Sequence, residues 1–308
     1  MITILGPTAS GKTLLATLLA KHIGAEIISA DSRQVYCGMD LGTGKDIQDY
    51  EVDGVHIPYH LIDILPAGAK YNLHAYMQDF HTAYAEIRQR NKPVILCGGT
   101  GLYIEAVLKG YHLPKVPINS QLREELSQLT PNELRDRLAS YGPLHNTTDL
   151  DTTRRTIRAI EIADFILGQQ TQSPGSISSY PPVSSLIVGT FIDRELRRER
   201  ISQRLIRRLE EGMLDEVRKL LHSGILPEDL IYYGLEYRYL TLHLIGQMSY
   251  SEMVSQLETA IHRFAKRQMT WFRGMEKRGL HIHWIDASTH PSHQLEQVLA
   301  LLNTTGLP

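Results

Sequence analysis

Residues 6–13 read Gly6-Pro7-Thr8-Ala9-Ser10-Gly11-Lys12-Thr13. They follow the apolar run Ile2–Leu5 and precede apolar residues at Leu14, Leu15, Leu18 and Leu19, the spacing of a buried helix face. The stretch satisfies G-x-x-x-x-G-K-[ST] in the strand-loop-helix setting that gives the motif its meaning. Such a loop lets successive backbone N–H groups converge on an anion at a helix N-terminus, where the peptide dipoles also favour negative charge. Lys12 adds a mobile cation, and the Thr13 hydroxyl stands where Mg²⁺ bridging two phosphates takes an oxygen ligand. Residues 6–13 are therefore expected to hold a pyrophosphate-like group, as nucleotide-binding and ATP-binding loops do.

Outward from the loop, the spacing predicts a strand over 26–30 ending at Asp31-Ser32 and a weaker strand over 60–64. A helix over 71–89 follows, then an apolar strand over 93–97 that runs into Gly98-Gly99-Thr100-Gly101. Strands alternating with helices predict an α/β fold with a P-loop NTPase-like core, a parallel sheet covered on both faces. Ras-type base-reading motifs are absent, and the 93–97 strand ends in Gly-Gly rather than a magnesium-binding Asp, which argues against a switch or motor ATPase.

After Gly110 the pattern changes: Pro114 and Pro117 break it, and 120–129, 131–141 and 151–167 read as three helices with no strand between them. This is a helical insertion domain, and residues 168–182 form a polar, Ser/Gln/Pro-rich connector expected to be mobile. A strand over 185–192 returns the chain to the sheet, with helices to follow over 194–211, 214–223 and 251–275. The expected domains are 1–112 with 183–308 as the catalytic core, and 113–182 as the insertion.

With 308 residues, 42% hydrophobic and 21% charged, the chain has ordinary globular usage, which excludes a collagen-like, disordered or coiled-coil protein. Cys37 and Cys97 are too few for a disulfide framework or a four-ligand zinc site, so both are expected to be reduced and structural. The opening residues lack a basic segment and cleavage site, and the uncharged run 171–192 carries Pro174, Pro181 and Pro182, unlike a membrane span. A soluble, cytoplasmic monomer is expected, with no membrane partner.

The net charge of −2 by itself predicts no polyanion partner, yet beyond residue 150 arginine far outnumbers lysine. Arg197, Arg200, Arg204 and Arg208 share one helical face, and Arg263, Lys266, Arg267 and Arg273 make a second stripe. The guanidinium fork suits phosphate. Two stripes together with Arg154, Arg155 and Arg158 favour an RNA backbone track over a merely solvated face. Trp271 and Phe272, inside the second stripe, read as core.

Asp31 closes the second strand, and ligands of open α/β sheets lie in the crevice beyond the strand carboxyl ends. A carboxylate there can act as a general base, assist a bound Mg²⁺, or cap the following residues together with Ser32. Ser32, Arg33, Gln34 and Tyr36 beside it supply donors, acceptors and a ring suited to base recognition. His60 has no Ser or Cys nucleophile pattern to serve and reads as a structural hydrogen-bonder.

Seven blocks, in order along nearly the whole chain, carry a resemblance: GPTASGKT at 6–13, SADSRQVYCGMDLGTGK at 29–45, HLIDI at 60–64, GGTGLY at 98–103, RTIRAIE at 155–161, GMLDEV at 212–217 and AKRQMTWFR at 265–273. Together they resemble the signature blocks of the tRNA dimethylallyltransferases, relatives of the adenylate isopentenyltransferases. The resemblance implies transfer of the dimethylallyl group from dimethylallyl diphosphate to N6 of the adenosine 3′-adjacent to the anticodon, releasing diphosphate. It implies that Gly6, Pro7, Thr8, Ala9, Ser10, Gly11, Lys12 and Thr13 cradle the diphosphate. Asp31 would accept the N6 proton, and Thr8, Lys12, Arg200 and Mg²⁺ at Thr13 would stabilise the leaving group. It further implies that Asp31, Ser32, Arg33 and Gln34 read a flipped adenine. Thr100, Arg123 and the helix start Arg154, Arg155, Thr156, Ile157 and Arg158 would touch the tRNA.

The chain departs from the family pattern at Gly234-Leu235-Glu236-Tyr237-Arg238, where Gly-Tyr-Lys/Arg-Glu is usual, and at Ile261-His262, where Thr-Arg is usual. Tyr59-His60 replaces two histidines, and Asp46 stands in place of a common Pro. The same loop and carboxylate also suit isopentenyl transfer to free adenine nucleotides, or a P-loop phosphotransferase acting on a small molecule with ATP. The helical insertion and its arginines favour tRNA.

Overall fold

The computed structural model describes residues 1–111, 116–142, 150–170 and 180–305. Pro114, the 112/113 boundary and most of the 168–182 connector lie outside the described residues. Two compact units result, one made of Met1–Lys109 with Pro182–Pro308, the other of Gly110–Pro181.

In chain order the first unit runs β1 (Ile2–Leu5), α1 (Lys12–Ile23), β2 (Glu26–Ser29), β3 (Tyr36–Cys37), a 3-10 turn (Ile47–Tyr50), β4 (Glu51–Val52), β5 (Val55–His56), β6 (Tyr59–His60) and β7 (Leu65–Pro66). It continues with α2 (Leu73–Gln89), β8 (Val94–Gly98) and α3 (Gly101–Lys109). The second unit holds α4 (Ser120–Ser127), α5 (Pro131–Ala139) and α6 (Thr153–Gln170). The first resumes with β9 (Leu186–Phe191), α7 (Arg194–Glu210), α8 (Met213–His222), α9 (Pro227–Tyr232), α10 (Leu235–Leu244), α11 (Tyr250–Lys277), β10 (His283–Asp286) and α12 (Pro291–Thr305).

Six strands pair in the order β10-β9-β1-β8-β2-β6, every neighbour parallel. The central strands are largely apolar and buried almost end to end because both faces of a parallel sheet are covered. Ile2, Ile4, Ile27, Ile95 and Val188 are buried in one cluster with Leu15 and Leu19 of α1 and Val298 and Leu302 of α12. Register fixes what the strands deliver: Leu5 lies beside Gly98, and Ser29 beside Cys97. The carboxyl ends of β1, β8 and β2 therefore hand over, side by side, to the loop 6–11, to Gly99-Thr100 and to Asp31.

The weak strand expected over 60–64 is only β6, because Leu61 and Asp63 take φ of +61° and +55° and turn the chain out of the sheet. The late helix is longer than the 251–275 expected, since Ser249 and Glu252 form a reciprocal capping box at its start. Elements α9, α10, β10 and α12 had no counterpart in the sequence reading. Phe272 and Cys97 are buried, and burial pushes the Cys97 thiol up to about 12, so it stays protonated.

The second unit packs its three helices on Leu126, Leu134, Leu138 and Ile160. Asn119 caps α4 by accepting the Leu122 N–H, and Thr130 and Glu133 form a capping box on α5, which begins at Pro131. Among the described residues no helix is long and apolar enough to cross a membrane.

Candidate active site

The loop leaving β1 is sewn to the sheet from two sides. The buried Ser10 hydroxyl pairs with that of Thr190 on β9 at 2.7 Å, so Ser10 turns inward and offers a ligand only its backbone. From the other side, the Thr8 N–H donates to Gln268 Oε1 of α11 at 2.9 Å. The Thr8 hydroxyl accepts a hydrogen bond from Arg204 on α7. Burial and the neighbouring Arg208 push the Arg204 guanidinium down to about 10. Burial likewise lowers Lys12 from its ordinary value, and the Asp31 carboxylate works against that shift. Arg200, the arginine expected at the diphosphate, instead donates from Nη1 to the Ala287 carbonyl at 3.3 Å. It is Arg204, one turn further along the same face, that meets the loop.

Asp31 Oδ1 accepts the Arg33 N–H at 2.9 Å, closing a tight side-chain turn that leaves Oδ2 for another partner. The turn is pinned by Thr100: the Ser32 N–H donates to Thr100 Oγ1 at 3.1 Å, and the Thr100 N–H to the Ala30 carbonyl at 3.1 Å. Gln34 accepts from the Ser29 hydroxyl and donates to the Gly44 carbonyl, at 2.9 and 3.0 Å, so its amide shapes the loop that follows. Arg33 lies 5.3 Å from the ring centre of Tyr232. Tyr36 meets Tyr233 edge-on at 4.5 Å, and Tyr76 stacks on Tyr103 at 4.0 Å. Burial raises the hydroxyls of Tyr36, Tyr76 and Tyr103, keeping this aromatic wall neutral.

Signature side chains beyond the loop hold backbone and one another. Glu216 of the GMLDEV block accepts the N–H groups of Asp40, Leu41 and Gly42 at 2.8, 2.8 and 3.1 Å, and the Tyr237 hydroxyl at 2.5 Å. Buried Lys45 donates to the Tyr36 carbonyl and Asp40, each at 2.6 Å, and to Asp63 of the HLIDI block. His60 bonds Glu26 at 2.7 Å on the sheet edge. The departures from the family pattern also find places. Asp46 takes φ of +43°, which proline cannot adopt, and receives Arg208 on both oxygens at 2.8 Å. Glu236 and Ile261 line a small pocket with Arg204 and Arg208, and burial raises the Glu236 carboxyl.

In the second unit, Arg123 and Arg158 converge on Glu161, whose side chain is 1% exposed. Arg123 donates from Nε and Nη2 at 2.9 and 2.8 Å, the Asn119 N–H at 2.7 Å, and Arg158 from Nη1. Burial alone would raise the Glu161 carboxyl, but these donors hold it at about 2. Thr156 is buried and its hydroxyl donates to the Thr152 carbonyl, while Ile157 packs against the apolar core. Those two positions, expected at a tRNA surface, point inward because they fall on the core face of α6. Arg154 and Arg155 are exposed, Arg155 paired with Asp151 at 3.0 Å.

Two residues of the crevice escaped the sequence reading. Gln268 lay inside the quoted AKRQ block, and Arg204 inside the first basic stripe, but neither position says which partner it meets. Among the described residues no three His, Cys, Asp or Glu side chains group to hold a metal. The fit is of another kind: Thr13, at the second position of α1, offers one hard oxygen of the sort Mg²⁺ takes alongside substrate phosphates.

Residues 34–275 match the family model described as IPP transferase. The chain is 60% identical over 306 residues to tRNA dimethylallyltransferase 1 of Porphyromonas gingivalis, covering 99% of this chain and 100% of that protein. It is also 60% identical over 303 residues to tRNA dimethylallyltransferase 1 of Parabacteroides distasonis, covering 98% and 97%. The crystal structure of the tRNA isopentenylpyrophosphate transferase of Bacillus halodurans superposes with a TM-score of 0.72 at 29% identity, covering 98% of this chain and 95% of that one.

Proposed function

The chain belongs to the IPP transferase family, and from that premise we propose how its own residues carry out the reaction. It is an enzyme that transfers a dimethylallyl group to tRNA. The donor is dimethylallyl diphosphate, its diphosphate held by residues 6–13, and the acceptor is N6 of the adenosine next to the anticodon on its 3′ side.

The observation that carries this reading is the shared crevice: adjacent strands of one parallel sheet deliver the anion loop, Asp31 and Thr100 to the same edge. The N6 lone pair is delocalised into the adenine ring and attacks poorly. As it forms the new bond to C1 of the dimethylallyl group, the C1–O bond breaks and its electron pair leaves with the diphosphate. The N6 proton passes to Asp31, whose Oδ2 is uncommitted. Loop N–H groups, Lys12 and Arg204 on Thr8 spread the negative charge that develops on the leaving group. The Thr13 hydroxyl would hold a magnesium ion, whose charge would further neutralise the leaving diphosphate. The tyrosines around Asp31 and Arg33 keep water from the reacting atoms and offer faces to a flipped base. The exposed Arg154 and Arg155 supply phosphate contacts, and the enzyme works as a monomer in the cytoplasm.

The test is transfer of labelled dimethylallyl diphosphate, with Mg²⁺, to unmodified tRNA carrying adenosines after the anticodon, beside a parallel reaction on AMP. Label in the tRNA alone is expected. Label in AMP alone would overturn the acceptor assignment, and label in neither would overturn the donor.

A further inference from the structure

We propose that Gln268 is the positioning residue that sets the separation between the donor's loop and the acceptor's turn; this rests on the transferase reading above. Gln268 is 7% exposed and spends both ends of its amide on backbone. Its Oε1 accepts the Thr8 N–H at 2.9 Å, and its Nε2 donates to the Gly99 carbonyl at 2.9 Å. An amide presents an acceptor and a donor at once; an ionised carboxylate lacks the donor and an ammonium the acceptor.

The two tethered backbones belong to the two halves of the chemistry. Thr8 lies in the diphosphate loop and carries the Arg204 contact. Gly99 precedes Thr100, which holds Ala30 and Ser32 on either side of Asp31. A continuous chain of hydrogen bonds thus runs from the loop through Gln268 and the β8 end to the residues flanking the base. Two glycines make room for it. A Cβ at residue 99 would stand 2.5 Å from Gln268 Nε2, and one at residue 101 would stand 2.2 Å from Trp271 Cδ1. The GGTGLY block is therefore the seat for the AKRQMTWFR block, with Gln268 and Trp271 three residues apart on the seated face of α11. The helix is anchored by Ala265, Phe272 and Met275, all fully buried, so it serves as a fixed reference for both backbones.

Displacement at C1 needs the incoming nitrogen, the carbon and the leaving oxygen in line with the base in reach. A misplacement of about 1 Å costs on the order of 100-fold in rate. Gln268→Met keeps the length of the side chain and removes both hydrogen bonds. Measured on the full chain with dimethylallyl diphosphate and tRNA, it is expected to lower kcat about 100-fold while leaving KM for tRNA within about twofold. Thr100→Val, which frees the Ser32 N–H from the same turn, should also lower kcat, and the double variant should be no slower than the slower single one. Gln268→Glu gives a second readout should the Met variant fail to fold. Protonation restores the missing donor, so its kcat relative to wild type should climb as pH falls. A folded Gln268→Met enzyme with kcat within twofold of wild type overturns the proposal. So do losses that multiply in the double variant, or a pH-independent ratio for Gln268→Glu. Wild-type enzyme that transfers nothing to tRNA would instead overturn the reading on which the proposal rests.

Discussion

In the first unit, side chains of the signature blocks hold backbone far along the chain, whereas in the second the motif arginines close on one buried carboxylate. Gln268 holds Thr8 and Gly99, Glu216 holds residues 40–42, and Thr100 holds Ser32. Bonds of that kind fix the path of the chain and leave Lys12 and one oxygen of Asp31 free for a ligand. In the second unit Arg123 and Arg158 are committed to the buried Glu161. Each already pairs with that carboxylate, and taking both guanidinium groups to phosphates would strand it in a buried site. A motif arginine can thus be structural while a motif glutamine governs chemistry.

The largest test of this contrast is Asp31→Asn. If Asp31 is the base rather than only the anchor of its turn, kcat should fall about 1,000-fold while tRNA binding in a filter assay is retained. Transfer within tenfold of wild type would put Asp31 in the same class as Glu161. Next comes Glu161→Leu, which leaves two cations around an apolar side chain and should cost the second unit about 3 kcal/mol. Hydrogen exchange across 119–161 would report it, with diphosphate binding by the first unit unchanged. Acid probes the same group without mutation. Its folded value of about 2 lies below the ordinary 4.5, so its stabilisation is complete above pH 4.5 and disappears as pH falls towards 2. Exchange protection in 119–161 should decay over that window.

A smaller effect separates the two candidate arginines. Arg204→Lys should lower kcat/KM for the donor about 100-fold, and Arg200→Lys much less, because only Arg204 meets Thr8. Equal losses would restore Arg200 to the diphosphate. Smallest of all, Arg155→Ala should weaken tRNA binding severalfold and reduce its log-log salt slope by about one, with no change in stability. An unchanged slope would mean that the exposed arginine pairs only with Asp151.

What the sequence reveals follows the reach of each interaction. The strand, loop and helix of residues 2–23 and the carboxylate after β2 are legible because their encoding is local: apolar spacing, a glycine-flanked lysine, a strand end. The partners of the loop are remote, Gln268 lying 260, Arg204 196 and Thr190 180 positions from the residues they touch. Periodicity puts Arg200 and Arg204 on one face but cannot choose between neighbours a single turn apart. It also cannot show that Thr156 and Ile157 turn inward beside an exposed Arg155 without knowing which face of α6 is buried. Strand β10 is four residues long and α10 mixes tyrosines with charged residues, so neither has a pattern to read. Asp46 and Glu236 were visible as departures, and only the fold ties them to Arg208 and Arg204.

The sheet order also dictates when the enzyme becomes competent during synthesis. Strand β1 sits between β8 and β9, so on the ribosome its β9 edge stays unpaired until chain beyond the insertion has emerged. The clamp on its loop, Gln268, is translated 260 residues after Thr8. Long-range pairing of this sort is slow and leaves strand edges open to wrong partners in the meantime. The diphosphate loop is thus among the earliest segments made and among the last to be finished. A diphosphate bound at that loop would therefore select chains whose first unit is already closed, and would stabilise them by mass action.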